Sequence, residues 1–217
     1  MFPACRAGHL QCFFMISSSG SAVDWAVRTL GNHHADIEEL IREAETAVPG
    51  AGRLLFLPFL TPERFPIWDA DLRGAFLGLT LDHGRPEMMR AVVESTGFAV
   101  RSVIAAMEAD GCQLMDLRVT GGLARLPFWC QARADITGKR VLLPEQGDSD
   151  LVGNACVGFY GLDEFESPTE AAESLVRFQK TFHPNPDTQQ VYDELFAVFA
   201  RLCAQLGDAF RSLAGPG

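Results

Sequence analysis

The stretch D-L-R-V-T-G-G-L-A-R-L-P-F-W, residues 116–129, decides the fold of this chain. Leu117 and Val119 alternate with polar neighbours, which predicts a short strand, and the amphipathic segment that starts at Pro127 predicts a helix. The pair Gly121–Gly122 between them predicts a turn with a bare backbone. Ligands of open α/β sheets bind beyond the carboxyl ends of the strands, where such a turn can approach a phosphate. Taken alone, however, the pair is better explained by a tight turn, because glycine tolerates a positive φ.

The rest of the chain alternates predicted helices and strands, which gives an α/β fold class. The helix over Pro86–Ala109 is apolar on more than one side, which is typical of a buried helix, and Gly97 in its middle indicates a closely packed neighbour. Small residues in the helix that follows 147–150 indicate close packing on a sheet. A helix with Val23, Val27 and Leu30 on one face follows residues 17–21, and C-F-F-M-I at 12–16 is predicted as a strand or a buried entry segment. Further helices are predicted at Asp36–Val48, Phe128–Thr137, Pro168–Lys180 and Thr188–Leu213, and further strands at Arg53–Leu57 and Val141–Leu143.

The composition is that of one folded, soluble domain. The 217 residues are 47% hydrophobic and 21% charged, with a formal net charge of −10. This acidity and the lack of Lys/Arg runs exclude a nucleic-acid surface. No segment reaches the roughly 20 apolar residues of a membrane helix, so we expect neither nucleic acid nor membrane as a partner. We expect poor order at 1–11, one domain over 12–213 and a frayed tail at 214–217.

The cysteines and histidines predict no metal centre. Six cysteines are scattered without a C-x-x-C pair, and the five histidines show no metal-ligand spacing. Free thiols in this pattern fit a reducing cytosol, which predicts a cytoplasmic protein.

A second stretch, G-A-F-L-G-L-T-L-D-H-G-R-P-E-M-M-R-A-V-V-E over residues 74–94, resembles a family signature. Its order is Gly74, an aromatic Phe76, Gly78–Leu79, a seven-residue gap, Glu87–Met88 and then the apolar run that ends at Glu94. This order resembles the C-terminal signature of the FGGY carbohydrate kinases. The turn at 121–122 with the following P-F-W resembles their adenosine loop. The resemblance spans about residues 12–200, is closest to xylulokinase- and gluconokinase-like members, and covers only the second half of a family member.

The resemblance implies a ribonuclease H-like (actin-like ATPase) domain with additional C-terminal helices. It implies ATP or ADP with Mg²⁺ as cofactor, and transfer of the ATP γ-phosphate to a sugar hydroxyl. By the same resemblance, the nucleotide would be lined by Gly20, Asp24, Gly121, Gly122 and Leu126. From the residues alone, Asp24 is explained equally well by the dipole at a helix start. Leu126 stands where relatives place a residue that can hydrogen-bond adenine, so the base contact here is expected to be apolar.

Two functional hypotheses follow from the resemblance. The family's catalytic aspartate and D-x-G-T phosphate loop belong to its N-terminal domain, and no D-x-G-T string occurs here, so no catalytic residue and no metal ligand is assigned. The first hypothesis is a nucleotide-binding half that is inactive alone and meets the sugar through an N-terminal domain. The second is a non-catalytic kinase remnant that acts as an interaction domain, paired with a second copy or with a separate N-terminal half. An apolar patch is expected where that domain would pack.

Overall fold

The structure, a computed structural model, describes residues 2–3, 10–11, 16–31, 36–63 and 69–214. The predictions for residues 1–11, 12–16 and 214–217 therefore lie almost entirely outside the described residues. The helices are α1 Gly20–Leu30, α2 Ile37–Thr46, α3 Arg85–Ala109, α4 Pro127–Thr137, α5 Ser149–Gly161, α6 Pro168–Leu175, α7 Pro186–Gln205 and α8 Gly207–Ala214. The strands are β1 Phe2–Pro3, β2 Leu10–Gln11, β3 Leu55–Leu57, β4 Ala75–Leu77, β5 Asp116–Arg118, β6 Arg140–Pro144 and β7 Phe178–Phe182. Within the described ranges, no helix is long and apolar enough to cross a membrane.

The predicted strand, glycine turn and helix are confirmed as β5, a turn at Gly121 and α4. Strand β6 follows and pairs with β5 in parallel, with Leu117 opposite Val141. Strand β7 pairs with β6 in the antiparallel direction, so the order of the sheet is β5-β6-β7. Helix α4 ends at Gly138, whose φ of +67° is the left-handed conformation that suits glycine. The unit β5–α4–β6 therefore places the turn at the carboxyl end of β5.

Helix α3 is the centre of the core. Every residue from Met89 to Ala99 is buried, and the helix packs against α1, α2, α4, α7 and β3. The prediction from Gly97 is also confirmed, because a Cβ at this position would lie 2.7 Å from Ile136 Cδ1 and 2.9 Å from Arg133 Nη1. Helix α4 can approach α3 this closely only because position 97 has no side chain.

A buried polar network ties α3 to two distant parts of the chain. Glu94 accepts hydrogen bonds from Arg90 Nε at 2.7 Å, from the Tyr192 hydroxyl at 2.7 Å and from Gly50 N at 3.1 Å. Arg90 also donates to Ala47 O. Since each buried polar atom in this set has a partner, the network fixes α7 and the end of α2 against α3.

The structure corrects the C-terminal helix boundaries. The predicted helix Pro168–Lys180 is wrong after Leu175, because Val176 is extended and residues 178–182 form β7. Phenylalanines at both ends of β7 and polar residues between them suit a strand that pairs with β6 on one side. The predicted helix Thr188–Leu213 begins two residues earlier, at Pro186, and is divided at Leu206 into α7 and α8.

The small residues of α5 do not pack on a sheet. A Cβ at Gly153 or at Gly158 would meet no atom within 4 Å outside the backbone of the helix itself. Helix α5 packs mainly against α6. The close helix–sheet approach predicted from these residues is therefore absent at both glycines.

Candidate functional site

The turn after β5 has two glycines with different structural needs. Gly121 has a φ of +95° and a ψ of −176°, a conformation essentially restricted to glycine. Gly122 has no positive φ and begins a 3₁₀ turn that ends at Arg125. A Cβ on either glycine would meet nothing within 4 Å. Backbone conformation therefore accounts for Gly121, while neither conformation nor internal packing requires glycine at position 122.

A cavity of about 560 Å³ lies beside this turn. Gly121 and Arg125 line it from the turn, and Lys180 lines it from β7. Arg125 makes no hydrogen bond or ion pair with another described residue, and Lys180 Nζ lies 4.6 Å from the ring centroid of Phe182. Two cations, one carboxylate from Glu145 and an open glycine backbone therefore border the same space, and its net positive lining suits an anionic group.

Helix α1 carries the other two predicted residues. Gly20 is its first residue, and a Cβ there would also meet nothing within 4 Å. Asp24 is exposed one turn further along. The preceding Ser18 is buried, and its hydroxyl lies 2.8 Å from Thr61 Oγ1, so this serine fastens the start of α1 to the loop after β3. Neither Gly20 nor Asp24 lines the cavity at Gly121.

Leu126 is half-buried at the start of α4 and packs against the core. Its amide donates to Leu123 O at 3.0 Å, which closes the 3₁₀ turn. Below the turn, Cys130 Sγ donates to Ala124 O at 3.2 Å. Burial raises the pKa of the Cys130 thiol to about 11, so this cysteine supports the turn as a neutral donor.

The sequence prediction assigned neither cation of the cavity as a site residue. Lys180 was assigned to a helix, and its position became evident only with the pairing of β7 to β6. Arg125 lies in the stretch 121–129 that resembles the family's adenosine loop, and that resemblance was the available signal for it. Of the five predicted nucleotide residues, only Gly121 lines this cavity; Gly122 and Leu126 belong to the same turn. Within the described ranges, no group of three His, Cys, Asp or Glu could hold a metal ion.

Comparison with known proteins identifies the family. Residues 3–162 match the C-terminal domain of the FGGY family of carbohydrate kinases. The chain belongs to this family. Among FGGY relatives, it is 30% identical to the xylulose kinase of Bacillus subtilis over 191 residues, which are 88% of the chain and 38% of that relative. It is also 30% identical to the gluconokinase of the same organism over 197 residues, or 90% of the chain and 38% of that relative.

Solved structures of FGGY kinases have the same fold. The ligand-bound xylulose kinase of Lactobacillus acidophilus superimposes with a TM-score of 0.85 at 27% identity, covering 91% of this chain and 40% of that one. The xylulose kinase of Brucella ovis gives a TM-score of 0.80 at 30% identity, covering 89% and 39%. The fold is therefore the actin-like ATPase fold of this family, as predicted. The chain spans about two fifths of the length of these relatives.

Proposed function

We propose that this chain is the ATP- and ADP-binding half of a sugar kinase. The observation that carries the proposal is Gly122, a glycine that the fold does not require, at a turn that opens onto a cavity bordered by Arg125 and Lys180. A bare backbone lets amide groups approach a phosphate or a flat ring. The two cations would meet part of the negative charge of the phosphates.

Five residues would line the nucleotide in this proposal. Gly20 and Asp24 would border it from α1, Gly121 and Gly122 from the turn after β5, and Leu126 would pack on the base. The Mg²⁺ ion that accompanies the nucleotide would neutralise phosphate charge during transfer. Leucine offers no hydrogen bond to the base, so we expect weak discrimination between adenine and guanine nucleotides.

The acceptor in this proposal is a hydroxyl group of a small sugar or sugar acid. Two relatives are named xylulose kinase and gluconokinase, and this choice rests on their names and their 30% identity. Phosphoryl transfer depends mainly on positioning and charge stabilisation, with a carboxylate that orients the hydroxyl. We propose that this carboxylate comes from the part of the family's fold that the chain does not span, and that the chain alone transfers no phosphate.

Calorimetric titration of Mg-ADP tests the nucleotide site. We expect binding to the chain and a loss of at least tenfold in affinity with Gly122→Trp, since the indole would occupy the open space at the turn. Gly158→Trp is the matched control, because position 158 is equally open and helical. It lies roughly 13 Å along α5 from Ser149, whose hydroxyl faces Thr120 at the turn.

The same titration separates the two functional hypotheses. Binding that both tryptophan variants retain would reject the turn as the site. Folded protein that gives no heat with Mg-ADP would reject the nucleotide-binding half and leave the non-catalytic interaction domain as the function.

A further inference from the structure

Lysine is rare in this chain, and one of its two lysines borders the proposed nucleotide site. The first, Lys139, forms an ion pair with Glu108. The second, Lys180, forms no ion pair with a described residue and lines the cavity of about 560 Å³ beside Gly121. Lys180 lies in β7, outside the residues 3–162 that match the family's C-terminal domain. The match to that domain therefore assigns no role to this lysine.

The backbone of β7 directs Lys180 towards the turn after β5. Lys180 lies opposite Leu143 in the pairing with β6, and it shares one face of the strand with Phe182, two residues further on. Phe182 is buried in the same core cluster as Ala124 of the turn and Cys130 of α4. The lysine side chain therefore extends along the edge of this cluster into the cavity.

The charged end of Lys180 is held in place by its surroundings. Its Nζ lies 4.6 Å from the ring centroid of Phe182. Burial raises the pKa of the Cys130 thiol, and the positive charges of Arg133 and Lys180 act against that rise. The ammonium group is therefore close to both an aromatic ring and the thiol that donates to the turn. A side chain that is already held loses less rotamer freedom when it binds a ligand.

Arg125, the other cation of the cavity, has more freedom. It is exposed at the end of the 3₁₀ turn, and its side chain makes no hydrogen bond, ion pair or aromatic contact with another described residue. Ordering such a side chain on a ligand costs rotamer entropy, which offsets part of its attraction to a phosphate. We therefore expect Lys180 to contribute more to binding than Arg125.

Glu145 places a carboxylate in the same cavity. It forms no ion pair with Lys180 or Arg125. At its greater distance it still lowers the positive potential of the cavity, and it therefore opposes the binding of an anion. Removal of the lysine charge and removal of the glutamate charge should consequently change anion affinity in opposite directions.

We propose that Lys180 is the main phosphate-binding side chain of this cavity and that Glu145 limits its affinity for phosphate. The ammonium group donates hydrogen bonds to the non-bridging phosphate oxygens of a nucleoside diphosphate at the open turn. This inference rests on the proposed nucleotide-binding function, and it adds a specificity residue from outside the matched domain.

Calorimetric titration of Mg-ADP into five variants tests the proposal. We expect Lys180→Met to weaken binding roughly tenfold or more, and Lys180→Arg to restore most of the loss, because either cation can donate to a phosphate. Arg125→Met should cost roughly threefold or less. Glu145→Gln should strengthen binding, since it raises the positive potential. Lys139→Met is the control and should bind unchanged, because it removes the same charge outside the cavity.

Two further measurements separate a phosphate contact from a structural role of Lys180. Added KCl should weaken Mg-ADP binding to the wild-type chain more steeply than binding to Lys180→Met, because salt screens a contact between charges. Limited acetylation followed by mass spectrometry should modify Lys180 more slowly in the presence of Mg-ADP and leave the rate at Lys139 unchanged. Adenosine, which has no phosphate, should protect neither lysine.

The outcomes distinguish failure of this inference from failure of the proposed function. Mg-ADP binding that Gly122→Trp weakens but Lys180→Met leaves unchanged would overturn the role of Lys180 and keep the nucleotide site. Equal salt dependence of Mg-ADP binding in the wild-type chain and Lys180→Met, or equal protection of Lys180 by adenosine and Mg-ADP, would also overturn that role alone. Folded protein that gives no heat with Mg-ADP would overturn both proposals.

Discussion

Helices α3 and α5 both carry many apolar residues but have opposite surroundings. In α3, eleven consecutive residues from Met89 to Ala99 are buried beneath four helices and a strand. In α5, Cys156 alone is buried, and Leu151 and Val157 are mainly exposed. Apolar residues in a helix therefore indicate that other elements should pack on it. Which elements do so depends on the rest of the fold.

Removal of Glu94, which lies in the buried network of α3, should cause the largest loss of stability. We expect Glu94→Ala to lower the free energy of unfolding by about 3–5 kcal/mol, because it leaves the buried Arg90 guanidinium without its carboxylate. Urea denaturation at pH 7 measures the change. The control is Glu194→Ala, whose partner Arg53 is 63% exposed, and this loss should be much smaller because solvent screens the exposed pair. Equal losses in the two variants would contradict a special role for the buried network.

Replacement of a second buried arginine, Arg133, should raise the free energy of unfolding rather than lower it. Among the described residues, Arg133 has no carboxylate partner and its Nε has no hydrogen-bond partner. Its two Nη atoms donate to Val93 O and Thr96 Oγ1, and the guanidinium lies 4.2 Å from the Trp129 ring centroid. Burial lowers the Arg133 pKa to about 9. We expect Arg133→Met to raise the free energy of unfolding by about 1–4 kcal/mol, because an apolar side chain of similar length carries no desolvation penalty.

The pH dependence of this gain follows from the lowered pKa. Above about pH 9, folded Arg133 loses its proton while the unfolded chain keeps it, so wild-type stability rises relative to the variant. The gain from Arg133→Met should therefore shrink in urea titrations between pH 8 and pH 10. The exposed Arg201→Met is the control, and we expect it to change stability by less than about 0.5 kcal/mol at every pH. A loss of stability in the Arg133→Met variant would contradict this prediction and show that the Arg133 guanidinium stabilises the fold.

Two glycine-to-alanine substitutions should have the smallest effects on stability. Their effects should be opposite in sign, a loss in α3 and a gain in α5. Gly97→Ala in α3 should destabilise by about 1–3 kcal/mol, because the new methyl group would overlap Ile136 and Arg133 of α4. Gly153→Ala in α5 should stabilise by about 0.5–1 kcal/mol, because the position is helical and open. Thermal unfolding of both variants measures the two signs. A loss of stability in Gly153→Ala would mean that position 153 is already in close contact.

Local patterns in the sequence predicted the elements that depend on local chemistry. The glycine turn, the end of α4 at Gly138 and the burial of α3 were all evident from glycine placement and apolar periodicity. Strand β7 was missed because its helical or extended state depends on pairing with β6, which a local pattern does not contain. The exposure of α5 was missed for a similar reason, since periodicity records which residues are apolar and not what lies opposite them.

The candidate site, too, was predicted only where it depends on local sequence. The turn at Gly121–Gly122 was predicted from its own residues, and the structure places its first glycine at a cavity. The contribution of Lys180 to that cavity depends on a strand about sixty residues later in the chain. The roles of Gly20 and Asp24 stay predictions, because they rest on the resemblance to FGGY kinases and they do not line this cavity.

The hydrogen bond between Tyr192 and Glu94 has a consequence for synthesis of the chain. The two residues are separated by 98 positions, and the ribosome adds about 5–20 residues per second. For about 5–20 s after Glu94 is made, Tyr192 and the rest of α7 have therefore not been synthesised. During translation the nascent core is exposed on the α7 side, and a chaperone that binds apolar helices has that interval in which to act.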